Sequence, residues 1–310
     1  MRRWAVPGYA LLLALAIIAP LLTPGYLLLR DAVSTPRSYL SDAALGLTEA
    51  APRAVPQDFA IALASHLVDG GVVVKTLLLA ALTLAGCGAG RLAATVLPDS
   101  GRPGQCVAAT VAIWNPYVAE RLLQGHWSLL VGYGCLPWVA NAVVKLRTSG
   151  AVAGFASAFW IALAGLTPTG LILAATVALV CLAAPGDGVP RWRAGLIVAL
   201  PTVAAALPWL TASALTSSLS TYGATGEPGF GAFAARAEPG LGALGSLAGL
   251  GGIWNADAVP GSRTTLFAVL ATVVLVGVVA LGLPAALRCR PAIPLLILAC
   301  AAIVIPALLA

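Results

Sequence analysis

Charge is what this chain has least of. Only 9% of its 310 residues are Asp, Glu, Lys or Arg, against 60% hydrophobic, and the mean hydropathy is +0.97. Soluble globular domains carry roughly 25% charged residues, so a soluble domain is excluded and the chain is an integral membrane protein. Lysine is scarcer still. Lys75 and Lys145 are the only basic residues that are not Arg, and with abundant Ala, Gly, Val and Pro this is the composition of a GC-rich genome. Paired cysteines are missing: Cys87, Cys106, Cys135, Cys181, Cys289 and Cys300 show no C-x-x-C spacing and sit in or beside apolar runs, where Cys packs as a small hydrophobe. No disulfide and no metal cluster is expected from them. The chain also lacks a Walker loop, a dinucleotide fingerprint, H-E-x-x-H and G-x-S-x-G, leaving nucleotide-driven transport and serine hydrolysis without support. Period-2 alternation is absent too, which argues against a membrane β-barrel.

What remains is a series of long apolar runs, each near the ~20 residues that a helix needs to cross a ~30 Å hydrocarbon core. They fall at 8–29, 72–97, 105–119, 128–146, 151–167, 169–184, 194–215, 264–287 and 291–310. The expected fold is therefore all-α, a polytopic helical membrane protein of about nine transmembrane helices in one domain. The basic start at Arg2 and Arg3 resembles a signal peptide, but the apolar stretch behind it exceeds an h-region, and an uncleaved first helix is expected. The last run ends at Ala310 without a polar flank, the expectation for a fragment of a longer chain.

The net charge of +6 flags topology rather than an anionic partner, and nucleic-acid binding is not expected. With Arg2 and Arg3 in the cytoplasm, the short inner connections carry Arg102, Lys145 with Arg147, Arg191 with Arg193, and Arg288 with Arg290. Two long segments, 30–71 and 216–263, then lie outside. Asp31, Asp42, Glu49, Asp58, Asp69, Glu120, Glu227, Glu238 and Asp257 lie outside as well, against only Asp99 and Asp187 inside. Any chemistry is expected on the outer face. In the first loop Pro36, Pro52 and Pro56 separate "SYLSDAALGLTEA" from "QDFAIALASHLV", two stretches with helical spacing that predict short surface helices. The second loop is rich in Gly and reads as an irregular cap.

Three places could carry chemistry. Asp31, in "LLLRDAVSTPR", is expected directly after the first helix, where partial desolvation tends to raise its pKa and Arg30 beside it favours ionisation; it suits a general base toward a hydroxyl, or else is a solvated acid marking the helix end. In "NPYVAERLLQGHW" (115–127) the Asn115-Pro116 break precedes Glu120, Arg121, Gln124 and His126. Glu120 and Gln124 share a face if the turn is helical, Arg121 suits a phosphate, and His126 suits a phosphate or a proton. The bland alternative is an interfacial ion pair anchored by Trp127. In "GGIWNADAVPGSR" (251–263), Trp254, Asn255 and Asp257 offer the indole and hydrogen-bonding groups that a sugar needs, or else plug the loop onto the membrane. His66 and Asp69 are expected at a surface helix end, and Lys75 is expected to snorkel.

The acid after the first helix, the long first outer loop and the many spans together resemble polytopic glycosyltransferases of the GT-C type. Within that class "NPYVAERLLQGHWSLLVGYGCLPWV" (115–139) is similar to actinobacterial arabinofuranosyl- and mannosyltransferases of the cell envelope, over about the first 150 residues. The resemblance implies a polyprenyl-phosphate sugar as donor, an envelope glycan or glycolipid as acceptor, and membrane lipids as surroundings. It implies a site facing outside the cytoplasmic membrane with Asp31 as base; to these, the residue types add Arg121 and His126 as candidates for the donor phosphate and Glu120, Gln124, Trp254, Asn255 and Asp257 as candidates for substrate binding. It names no certain cofactor and leaves a divalent cation open, although Asp31 lacks the neighbouring acid of many relatives, its nearest being Asp42. The alternatives are a transporter or flippase of lipid-linked glycans, which the charge-free mid-spans disfavour, and a catalytically silent envelope-assembly subunit.

Overall fold

The computed structural model describes residues 4–48, 54–150, 153–217 and 230–310. Arg2, Arg3, Glu49, Pro52 and Glu227, named above, lie outside the described residues, as does the start of the 151–167 run.

Each apolar run coincides with a helix, but their lengths differ. The first is α1 (Ala5–Ile18), extended by a 3-10 turn over Ala19–Leu22. It ends well short of residue 29, because Pro20 and then Pro24-Gly25 remove donors and turn the chain. A two-stranded hairpin follows, β1 (Leu28–Leu29) paired antiparallel with β2 (Ala32–Val33), so Asp31 sits in a hairpin turn rather than at a helix end. Two short helices, α2 (Asp42–Leu45) and α3 (Gln57–Ser65), occupy the two stretches with helical spacing. His66 caps α3, and Asp69 caps α4 (Gly70–Val96) by accepting from the N–H groups of Gly71 and Val72.

Beyond α4 come α5 (Gly101–Ile113), α6 (Pro116–Gln124), α7 (Trp127–Ser149), α8 (Ala153–Ala164), α9 (Pro168–Cys181) and α10 (Arg191–Ser217). The chain closes with α11 (Gly242–Ala248), α12 (Phe267–Arg288) and α13 (Ile293–Leu309). Among the described residues six helices, rather than nine, are long and apolar enough to cross a membrane: α1 with its 3-10 turn, α4, α7, α10, α12, and α13 with its preceding turn. The shortfall has local causes. Asn115-Pro116 splits the 105–119 run between α5 and α6, and α8, at 12 residues, rises only about 18 Å.

The central helix is α7, 67% of whose most apolar window is buried, whereas α12 and α13 bury 11% of theirs and leave Leu270, Val273, Val274 and Leu281 bare. Such an apolar outer surface suits lipid rather than water. Small residues let α7 be covered closely: a side chain at Gly134 would run into the backbone of Ala81 on α4. One half of the core joins Ala10, Ala14 and Ile18 of α1 to Leu82, Ile113 and Leu130; the other joins Val139 and Val143 of α7 to Ile161, Ala174 and Val198.

Polar bonds tie the two ends of this bundle. At one end Lys75, instead of snorkelling free, donates from Nζ to the carbonyls of Thr23 (2.6 Å) and Gly25 (2.7 Å), fastening the exit of α1 to the entry of α4. At the other, Arg147 is buried, and its guanidinium donates to the carbonyls of Ala184, Gly186 and Val189 between α9 and α10. Arg147 is thus a structural clamp as well as a loop charge.

Candidate functional site

The site is built on α6, a nine-residue helix fixed at both ends by local chemistry. Asn115 caps it: Oδ1 accepts from the Val118 N–H at 2.9 Å while Nδ2 donates back to the Val111 carbonyl at 2.8 Å. Pro116 takes the first helical position, where its missing N–H costs nothing. Gly125 ends the helix with φ 84°, a conformation that favours glycine. A side chain there would also collide with the backbone of Leu29 and Ala32, so the hairpin seats directly on Gly125. Asp31 is carried in with it, its N–H donating to the Gln124 carbonyl at 3.2 Å.

The Asp31 carboxylate lies half exposed, 56%, against a His126 side chain that is 24% exposed. Its Oδ2 accepts from Gln124 Nε2 at 3.1 Å and meets His126 Nε2 at 2.7 Å. On the far side of the ring, Arg121 Nη1 stands 3.3 Å from His126 Nδ1. Guanidinium can only donate, so Nδ1 must offer its lone pair and the ring proton sits on Nε2, aimed at Asp31. Burial and then the Arg121 charge hold His126 below the usual histidine range, which fits a neutral ring. The contact with Asp31 is therefore a hydrogen bond to a carboxylate rather than an ion pair at neutral pH. Arg121 itself lies 4.9 Å over the Tyr117 ring, and its Nε is buried without a partner. Among the described residues nothing bonds to Asp31 Oδ1.

The 252–257 segment closes over α6. Glu120 and Gln124 do share a face, and both point at this segment. Glu120, 1% exposed, accepts from the N–H of Gly252 (3.1 Å, Oε1) and of Ile253 (3.2 Å, Oε2). Gln124 Oε1 accepts from Asn255 Nδ2 at 2.7 Å. Gln124 thus joins Asn255 to Asp31, whereas Glu120 is spent on holding the loop. Burial, reinforced by Glu238 nearby, pushes the Glu120 carboxyl up to about 7 against the pull of those two N–H groups. Trp254 is 38% exposed and packs edge-on against Phe233, and among the described residues it makes no hydrogen bond to the Asp31 cluster. Asp257 contributes its backbone carbonyl, not its carboxylate, accepting from Arg30 Nη2 at 2.6 Å. Arg30, expected to favour ionisation of Asp31, turns away instead: its guanidinium also reaches the Leu123 carbonyl, and its φ of 53° marks the tight hairpin turn.

Two features have no clear sequence signal. Glu238 and Arg263 form a buried bidentate pair under the same loop, Nε to Oε1 at 2.9 Å and Nη2 to Oε2. Separated by 24 residues of Gly-rich sequence, they look like unrelated loop charges. Asp58, at the start of α3, lines the same cavity as Asp31, and a helix-start acid ordinarily signals only the helix dipole. Among the described residues no group of three or more His, Cys, Asp or Glu could hold a metal ion.

In comparison with known proteins, no family model matches the chain, and neither a curated protein nor a solved structure does. The chemistry available is that of one carboxylate with one oxygen anchored by a neutral imidazole and an amide, the other oxygen open, and a cation one ring away.

Proposed function

We propose that the chain is an inverting membrane glycosyltransferase that takes a sugar, arabinofuranose or mannose, from a polyprenyl-phosphate donor at the outer face of the cytoplasmic membrane. The observation that carries this reading is the Asp31 carboxylate, with Oδ2 anchored by His126 and Gln124 and Oδ1 unbonded among the described residues. A general base needs one oxygen held and one free, within reach of the proton it takes.

In the proposed step the acceptor hydroxyl gives its proton to Asp31 Oδ1 while its oxygen forms a bond to the anomeric carbon. The bond from that carbon to the phosphate oxygen breaks, its electron pair leaving with the lipid phosphate, and the configuration inverts in this single displacement. His126 is assigned to Asp31 rather than to the phosphate, because its ring is committed between Asp31 and Arg121. The leaving phosphate is assigned to Arg121, which lies across the His126 ring from Asp31 and has a buried Nε with no hydrogen-bond partner among the described residues. Asn255 positions Gln124, and the acceptor is a glycan or glycolipid of the envelope. The bare apolar surfaces of α12 and α13 suit a substrate whose prenyl chain stays in the bilayer.

The test is transfer from decaprenyl-phosphate arabinose or mannose to short glycans by the lipid-reconstituted protein. Wild type should turn over, and Asp31→Asn, at equal folded yield, should lose about 10²–10⁴-fold in rate. Equal rates for the two proteins, or no transfer by wild type with either donor, would remove this assignment.

A further inference from the structure

A cavity of about 390 Å³ opens beside Asp31, between the hairpin, α2 and α3. That is within the ~300–1,000 Å³ of small-molecule sites. Its polar wall is Asp31, Ser38, Ser41, Gln57 and Asp58, with Tyr39 exposed at the rim, while Ile61 and Trp127 supply apolar surface. Asp58 accepts from Gln57 Nε2 through Oδ1 at 3.3 Å, and among the described residues nothing bonds to its Oδ2. The cavity thus presents two carboxylates, each with one oxygen open. The described residues that line it include no Lys, Arg or His.

Open carboxylate oxygens call for donors. A sugar residue brings several O–H groups and an apolar ring face, matching the acids, the hydroxyls and the aromatic rim. A phosphate brings acceptors and negative charge, and two carboxylates repel it at close range. Of the described arginines, Arg121 faces His126, and Arg30 donates to the carbonyls of Leu123 and Asp257, so neither lines this cavity.

We propose that this cavity is the acceptor chamber, that it takes an uncharged sugar residue, and that Asp58 is the residue that discriminates neutral from phosphorylated acceptors. The assignment rests on reading Asp31 as the base. It divides the site into two sides of opposite character, with the acceptor toward α3 and the donor phosphate toward α6.

The test is ligand binding by the full chain in lipid nanodiscs, read by saturation-transfer NMR and calorimetry, with mannobiose, its phosphate monoester and glucosamine as probes. Wild type should bind mannobiose saturably and the phosphate ester at least about tenfold more weakly. Asp58→Asn should weaken mannobiose by about tenfold, the scale of one hydrogen bond to a charged group, and narrow the discrimination against phosphate. Ala43→Trp, at an exposed position on the wall, should block mannobiose without touching either acid, which separates occlusion from misfolding. Equal or tighter binding of the phosphate ester, tighter binding of glucosamine, no binding of mannobiose, or an Asp58→Asn variant indistinguishable from wild type would each overturn the chamber. Transfer is scored separately. Mannobiose binding without transfer removes the enzyme assignment and leaves a neutral-sugar site, whereas transfer without preference against phosphate removes the chamber alone.

Discussion

Glu120 makes the docking of the 252–257 segment dependent on pH, and the size of the effect follows from its surroundings. The carboxyl is 1% exposed, clamps two backbone N–H groups, and is raised from 4.5 to about 7, chiefly by burial. When the segment opens, Glu120 meets water and returns to its ordinary value. Below pH 4.5 the carboxyl is protonated in both states and docking is strongest. Between about 4.5 and 7 the open state releases its proton first, so docking weakens as pH rises, and above about 7 the loss is complete. At about 1.4 kcal/mol per pKa unit the full loss is roughly 3 kcal/mol, or on the order of a hundredfold in the open population. Hydrogen exchange at the Gly252 and Ile253 amides measures that population, once observed rates are divided by the intrinsic rate at each pH. Protection should fall about a hundredfold between pH 5 and pH 8 in wild type. Glu120→Gln, which cannot ionise, should stay flat, within the ~1 kcal/mol of one altered hydrogen bond. A flat wild-type profile, or an equal fall in the Gln variant, refutes the reasoning.

Other consequences are as direct. Arg121→Met removes a charge that holds His126 down, so the ring should titrate at a higher pH; the chain has only two histidines, and NMR resolves His126 from His66. Gly125→Ala puts a side chain at φ 84° against the hairpin backbone; a thermal-stability loss of about 2 kcal/mol or more is expected, and a neutral result would mean that the hairpin is not seated on α6. Glu238→Gln or Arg263→Met alone strands a buried charge and should cost about 3–5 kcal/mol, while the double change to apolar residues costs much less. A double-mutant cycle in which the two costs simply add would show the pair to be uncoupled.

The helices were legible because burial in lipid demands long apolar runs, and every such run holds one. Their lengths were less so. Hydropathy counts Leu27 to Leu29 as helix, but Pro20 and Pro24-Gly25 end α1 early and free residues 26–33 to form the hairpin. The Asn115-Pro116 break was plain, since a side chain that caps and an imino acid without a donor state their roles locally. The register of the hairpin on Gly125 was hidden, because it depends on a contact between residues some 93 positions apart.

The same limit governs the site. Asp31, Gln124, His126, Arg121 and Asn255 converge as their residue types suggest, but which acid is free for chemistry depends on how each oxygen is occupied. Glu120 has both oxygens on backbone N–H groups, Glu238 has both on Arg263, and Asp69 divides its pair between the start of α4 and the Tyr26 hydroxyl. Those three hold the fold together. Asp31 and Asp58 each have one oxygen with no hydrogen bond among the described residues, and both line one cavity. In a chain that places so few charges near a membrane, an acid whose bonds are all made is explained by structure alone. An acid with an open oxygen on a cavity still has a bond to offer, and that difference is invisible until partners distant in sequence are brought together.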